Sequence, residues 1–162
     1  MAETLAEHVV HSIEQLCETM AKDSAKTLLA IGFVTTDDVS KIGAKILFDG
    51  DLPISAETYR KLSPVEWIHS DEDAFVGLNR FFESTVSLAN ENEDNYKQRV
   101  RNVFDEFASA LEFMDLRKQF GDSLYLTFSG VDPNDVLESE EKRFVKSMNS
   151  ASVFDQWFEE FD

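Results

Sequence analysis

A change of hydrophobic period between residues 21 and 26 narrows the folds open to this chain. Before it, Leu5, Val9, Ile13, Leu16 and Met20 recur at spacings of three and four, the stripe of an amphipathic helix over 3–21. After it, Leu29, Ile31 and Phe33 alternate. Beyond the polar break Thr36-Asp37-Asp38, so do Ile42, Ala44, Ile46 and Phe48. Period two on both sides of a short polar turn predicts a β-hairpin over 26–48. The turn lacks Asn-Gly, which leaves its type open. Gly32 and Gly43 mark positions for a bulge or a close backbone approach.

Helical spacing then returns. Residues 49–69 read as irregular, ending in Ser63-Pro64-Val65-Glu66-Trp67, where Ser63 and Glu66 have the spacing of a capping box around Pro64. Phe75, Leu78, Phe82 and Thr85 give one face of a helix over 71–90, with Ser70 as its expected cap. A longer helix carries Tyr96, Val100, Val103, Phe107, Leu111 and Met114 and ends near Phe120, with Gly121 as the stop. Leu124, Leu126 and Phe128 alternate as one more strand. Asp132-Pro133 opens a helix through Leu137, Phe144 and Met148, and a last short helix covers 152–161 with Ser152 as its cap. This order predicts an α+β fold: a small antiparallel sheet, made of the hairpin and one later strand, packed against several helices. The 162 residues fit a single globular domain, 1–162. A chain of this size buries roughly 70% of the surface its unfolded form exposes.

Charge excludes more than composition does. Thirty-two Asp and Glu against 15 Lys and Arg give a net charge of −17. That balance disfavours direct binding to nucleic acid, where phosphates call for clustered cations, and docking on an anionic membrane. Fourteen Phe are too many for a disordered acidic tail. No run of 18 apolar residues predicts a membrane span, and the opening MAETLAEHVV lacks the pattern of a secretory signal. The single cysteine, Cys17, fits a reducing compartment, so the cytoplasm is the expected location.

A search for chemistry finds little. His8 and His11 lie three apart on the first helix, a spacing that can hold a metal, but solvated histidines explain it as well. Cys17 lies beside the apolar stripe with no nucleophile signature around it and reads as a structural thiol. No GxSxG, HExxH or phosphate-binding loop occurs, and Asp49-Gly50-Asp51 is too short for a calcium loop. Phe81 and Phe113 lie off the main stripes. No catalytic role, metal or cofactor is predicted.

The acids themselves carry the functional signal. They cluster at Asp71, Glu72 and Asp73; at Glu91, Glu93 and Asp94; and at Asp132, Asp135, Glu138, Glu140 and Glu141. Asp155, Glu159, Glu160 and Asp162 add a fourth group at the C-terminus. A solvated surface is the plain reading. A docking face for a basic protein is the sharper one, because complementary potentials steer association.

The stretch Leu62-Ser63-Pro64-Val65-Glu66-Trp67 resembles a bacterial family of uncharacterised domains that carry a WSPxEW element. The resemblance runs from about residue 27 to 161. It takes in the hairpin turn Thr35-Thr36-Asp37-Asp38, the strand Ser123–Phe128 and the closing segment Ser147–Val153. Leu62 stands in place of the family's first tryptophan and Ser150 in place of a proline. Members of such families lie near toxin loci, so the resemblance implies an immunity protein. It would bind a basic toxin domain, a nuclease by class, and block its active site with an acidic face. The alternatives are a small-ligand-binding or regulatory adaptor domain, and an enzyme with a carboxylate-lined pocket around Glu66. For Trp67 the expected role is a core plug, and for Glu66 a cap.

Overall fold

The computed structural model describes residues 3–22, 26–51 and 63–158. Within them, strands β1 (Leu28–Thr35), β2 (Ile42–Phe48), β3 (His69–Asp71) and β4 (Tyr125–Gly130) form one sheet in the order β3-β2-β1-β4. Six helices accompany it among these residues: α1 (Leu5–Ala21), α2 (Val76–Thr85), α3 (Glu93–Met114), α4 (Leu116–Phe120), α5 (Asp135–Met148) and α6 (Ala151–Phe158). The fold is α+β, as the periodicities predict.

The hairpin forms as expected, with Thr35 opposite Ile42. The sheet is mixed, not wholly antiparallel, because β4 runs parallel to β1. A parallel neighbour needs a long crossover, and the chain from β2 to β4 supplies one through β3, α2, α3 and α4. The third addition, β3, lies in a stretch expected to be irregular; three residues, His69-Ser70-Asp71, are too few to show a period. A register shift between Leu28 and Ala30 also breaks the predicted alternation. It places Leu28 with Ile31 and Phe33 in the main core and leaves Leu29 against the opposite face.

One sheet face carries the main core. Val9, Ile13 and Leu16 of α1, Val100, Phe104 and Phe107 of α3, and Leu137 and Phe144 of α5 pack there, each almost wholly buried. Much of the phenylalanine content is spent here. Phe104 stacks on Phe128 at 4.1 Å between ring centres, and Phe33 meets Phe107 edge-on at 4.9 Å. The other face carries a smaller cluster of Ala30, Leu47, Trp67, Tyr125, Val153 and Trp157, with Tyr125 stacked on Trp157 at 4.5 Å. The central strand β1 is therefore covered on both sides.

Helix ends differ from expectation in their choice of cap. Thr4 and Glu7 form a capping box on α1. Asp71, not Ser70, caps the turn before α2 by accepting from the Ala74 N–H, because Ser70 is taken up by β3. Asn134 caps α5, and Ser150, not Ser152, caps α6. Asp115 adopts a left-handed conformation (φ 45°) and divides α3 from α4, and Gly121 (φ 109°) ends α4.

Candidate functional site

Strand register brings one end of the sheet into focus. Thr35 at the end of β1 lies beside Gly130 at the end of β4 and opposite Ile42 at the start of β2, and Asp71 at the end of β3 lies opposite Ala44. The hairpin turn 36–41, the segment after β3 and the segment after β4 therefore leave the sheet at the same end. All three are acidic.

The turn is built around a partly buried carboxylate. Asp38 accepts hydrogen bonds from Thr36 Oγ1 (2.7 Å), Ser40 Oγ (2.6 Å) and the Ser40 N–H. Partial burial alone would raise its pKa. The bonds from Ser40 and Thr36, with Arg99 nearby, outweigh that and hold the carboxyl below its ordinary value. Val39 takes a left-handed conformation (φ 52°) that a β-branched residue rarely adopts, and its side chain is fully buried.

Arg99 of α3 holds that conformation. Its guanidinium donates to the carbonyls of Val39 (2.7 Å) and Asp38, and makes a two-pronged pair with Glu91 at 2.6 and 2.9 Å. The same cation thus ties the turn to the segment entering α3. Tyr96 adds a second tie: its hydroxyl donates to the Asp37 carbonyl and accepts from Asn134 Nδ2 at 2.8 Å, which brings in the start of α5. The result is one rigid end presenting the exposed carboxylates Asp37, Glu72, Asp73, Glu93, Asp94, Asp132 and Asp135.

Four of the residues singled out from sequence serve the fold instead. Asp71 is buried as a cap and Glu91 is held by Arg99. Glu140 is buried between Arg101 (3.0 Å) and Arg143 (2.8 Å), and Arg143 extends the chain of charges to Asp105. Glu141 is half-buried and accepts from the Gly130 N–H at 2.6 Å, closing the outer edge of β4. Burial, aided by Glu138, pushes its carboxyl up to about 7 against that bond. Asn149 closes the same edge at Leu126, accepting from its N–H and donating to its carbonyl. Glu138 is exposed on α5, and Asp94 and Asp135 share a mixed-charge groove with Lys97 and Arg101. Asp155 is exposed on α6; Glu159, Glu160 and Asp162 lie outside the described residues. Sequence reasoning missed Asp37 as an exposed member, because it reads there only as part of a turn.

The other candidates resolve as structural. Both His8 and His11 place Nδ1 3.3 Å from Glu3, and no group of three or more metal-ligating side chains occurs among the described residues. Cys17 is buried, and burial, followed by the charge of Glu14, pushes its thiol up to about 11. Pro64–Glu66 is a single 3-10 turn in which Ser63 makes no side-chain cap and Glu66 is exposed. Trp67 plugs the second face of the sheet. A Cβ on Gly32 would come within 2.6 Å of Pro64 and 3.1 Å of Trp67, so this turn seats directly on glycine backbone. Leu62 lies outside the described residues.

The chain matches no protein-family model, no curated protein and no solved structure.

Proposed function

We propose that this chain is an immunity protein, which binds a basic bacterial toxin domain, a nuclease by class, and covers its active site without performing chemistry. The observation that carries the reading is the convergence of seven exposed carboxylates from four separate segments on one braced end of the sheet. A nuclease groove is lined with cations because it holds phosphates. A fixed array of carboxylates can occupy that groove in place of the nucleic acid. Few desolvated contacts would carry affinity, while the acids set encounter rate and orientation. The cytoplasm, where such a toxin acts, is the proposed location; no helix among the described residues is long and apolar enough to cross a membrane.

Co-expression with the product of the gene immediately upstream tests this. The expected result is copurification and rescue of growth, with Asp94, Asp132 and Asp135 each changed to Lys reducing both. A nontoxic neighbour, or rescue indifferent to the triple reversal, overturns the reading. The alternative of a small-ligand site finds support in one feature: Glu141, with its raised pKa, lines a groove of about 510 Å³ with Thr127, Ser129, Lys142 and Lys146. Against it, Glu141 Oε1 is committed to the Gly130 N–H. The pocket expected around Glu66 has no such support, since Glu66 is exposed beside a buried Trp67.

A further inference from the structure

Among the described residues, β4 is an edge of the sheet and pairs with β1 alone. An edge strand turns the N–H and carbonyl of every second residue away from its neighbour. On β4 these residues are Leu126, Phe128 and Gly130, in step with Val131, whose N–H points inwards and donates to Thr35. Side chains occupy the first and the last. Asn149 accepts from the Leu126 N–H at 2.9 Å and donates to its carbonyl at 2.8 Å, and Glu141 accepts from the Gly130 N–H. Phe128 lies between them, and no side chain among the described residues bonds its N–H or its carbonyl. Its ring is locked in the main core against Phe104 and Phe144. A residue 1% exposed with that backbone pair unmatched by protein is an uncommon state in a folded chain.

The groove of about 510 Å³ described above reaches this gap, with Phe128, Thr127 and Ser129 along one side. Val145 of α5 and Phe154 of α6 give it half-buried apolar walls. Lys142 and Lys146, one helical turn apart on α5, stand exposed at its rim, and neither has an ion-pair partner among the described residues. Arg143 also lines it but is committed to Asp105 and Glu140. The one acid lining it is Glu141, whose Oε1 is held by the Gly130 N–H. A chain with 32 acids against 15 Lys and Arg thus places two uncommitted cations around one committed carboxylate. Helix α5 descends the strand, with Glu141 at Gly130 and Asn149 at Leu126, so residues 145 and 146 fall beside Phe128.

We propose that this groove binds the C-terminal residue of a peptide: an apolar residue with a free α-carboxylate and an acylated α-nitrogen. The Phe128 N–H and the Lys146 ammonium receive the carboxylate, the Phe128 carbonyl accepts the ligand's N–H, and the ligand's side chain lies against Val145 and Phe154. Asn149 makes the same pair of bonds one step along the edge, its side-chain amide standing in for a backbone residue at Leu126. It also decides why the ligand is a terminus. A strand continuing past Phe128 would meet Leu126 with both groups already taken, so the chain ends there and its carboxylate falls on the lysine side. At the other end Glu141 holds the Gly130 N–H, which turns the preceding residue out of the edge. The site uses none of the exposed carboxylates of the acidic end and stands independently of the function proposed above.

Three probes test the proposal on the full chain, each titrated against ¹⁵N-labelled protein: acetyl-Gly-Leu with a free carboxylate, the same peptide amidated, and acetyl-Gly-Gly with a free carboxylate. The first is expected to bind about tenfold more tightly than either of the others, the weight of one charge-assisted contact or one apolar side chain. It should shift the amides of Phe128 and Ser129, with the Phe128 proton moving downfield as it gains an acceptor. Lys142→Gln with Lys146→Gln, both at exposed positions, should close most of the gap between the acid and the amide. No binding of acetyl-Gly-Leu at millimolar concentration overturns the proposal, as do equal affinities for acid and amide or shifts that spare Phe128. Displacement of acetyl-Gly-Leu by an equal concentration of acetate would show capture of a bare anion and overturn it too.

Discussion

Glu141 shows how one residue can be misread when its partners are unknown. In the sequence it is the last of a run of acids on α5. In the fold it is half-buried, bonded to the N–H of Gly130, with its carboxyl pushed up to about 7 from an ordinary 4.5. An acid with a raised folded pKa costs the fold stability once the unfolded chain would ionise. The cost is absent below about 4.5, grows as pH rises through the folded value of about 7, and is complete above it. Glu141→Gln keeps an acceptor for Gly130 and removes the charge. It is expected to stabilise the protein at pH 8 by about 1 kcal/mol, a value reduced for solvent screening at a half-exposed site. Near pH 4.5 no gain is expected. Thermal melts of both proteins across this range check it, and equal melting temperatures at pH 8 would refute the assignment.

At the scale of elements, the hairpin and the long helix were both plain in the sequence, and the joint between them was not. Arg99 reads there as one polar residue on a helix. In the fold it carries four hydrogen bonds, two to carbonyls of the turn and two to Glu91, with both side chains largely buried. Removing it strands a buried carboxylate and releases a left-handed Val39. Arg99→Ala should therefore cost about 3 kcal/mol, in the range for breaking a buried charge pair. Amide exchange should accelerate most in the turn 36–41 and at the start of α3. Uniform loss of protection across the sheet would show that Arg99 is not a local clamp. The same limit explains the missed β3 and the parallel β4. Period reports which side of a strand is buried, but neither its neighbour nor its direction.

Across the whole molecule, net charge sets the environment in which these contacts operate. At −17 the folded chain repels itself, and the repulsion is relieved by ions within a Debye length of about 30 Å at 0.01 M salt and 8 Å at 0.15 M. Raising sodium chloride over that range is expected to raise the melting temperature by a few degrees, since about 1 kcal/mol corresponds to a few degrees at this size. An unchanged or falling melting temperature would mean that the ion pairs, such as those of Glu140, outweigh the repulsion.

By itself, the sequence determined the fold class, the hairpin, the existence of the main helices, the core stripes and the acidic character of the surface. Each follows from local pattern: spacing fixes which faces are apolar, and composition fixes charge. The sequence did not determine the helix bounds: the helix expected over 71–90 spans only Val76–Thr85, and the long one breaks at Asp115. Tertiary structure decided which acids share a surface and which are consumed as caps and pair partners. Those outcomes depend on strand register and on contacts between residues some 60 positions apart, such as Arg99 with Asp38 and Val39. No local spacing encodes such separations. They are fixed only when the crossover lays β4 beside β1 and brings the ends of four segments together.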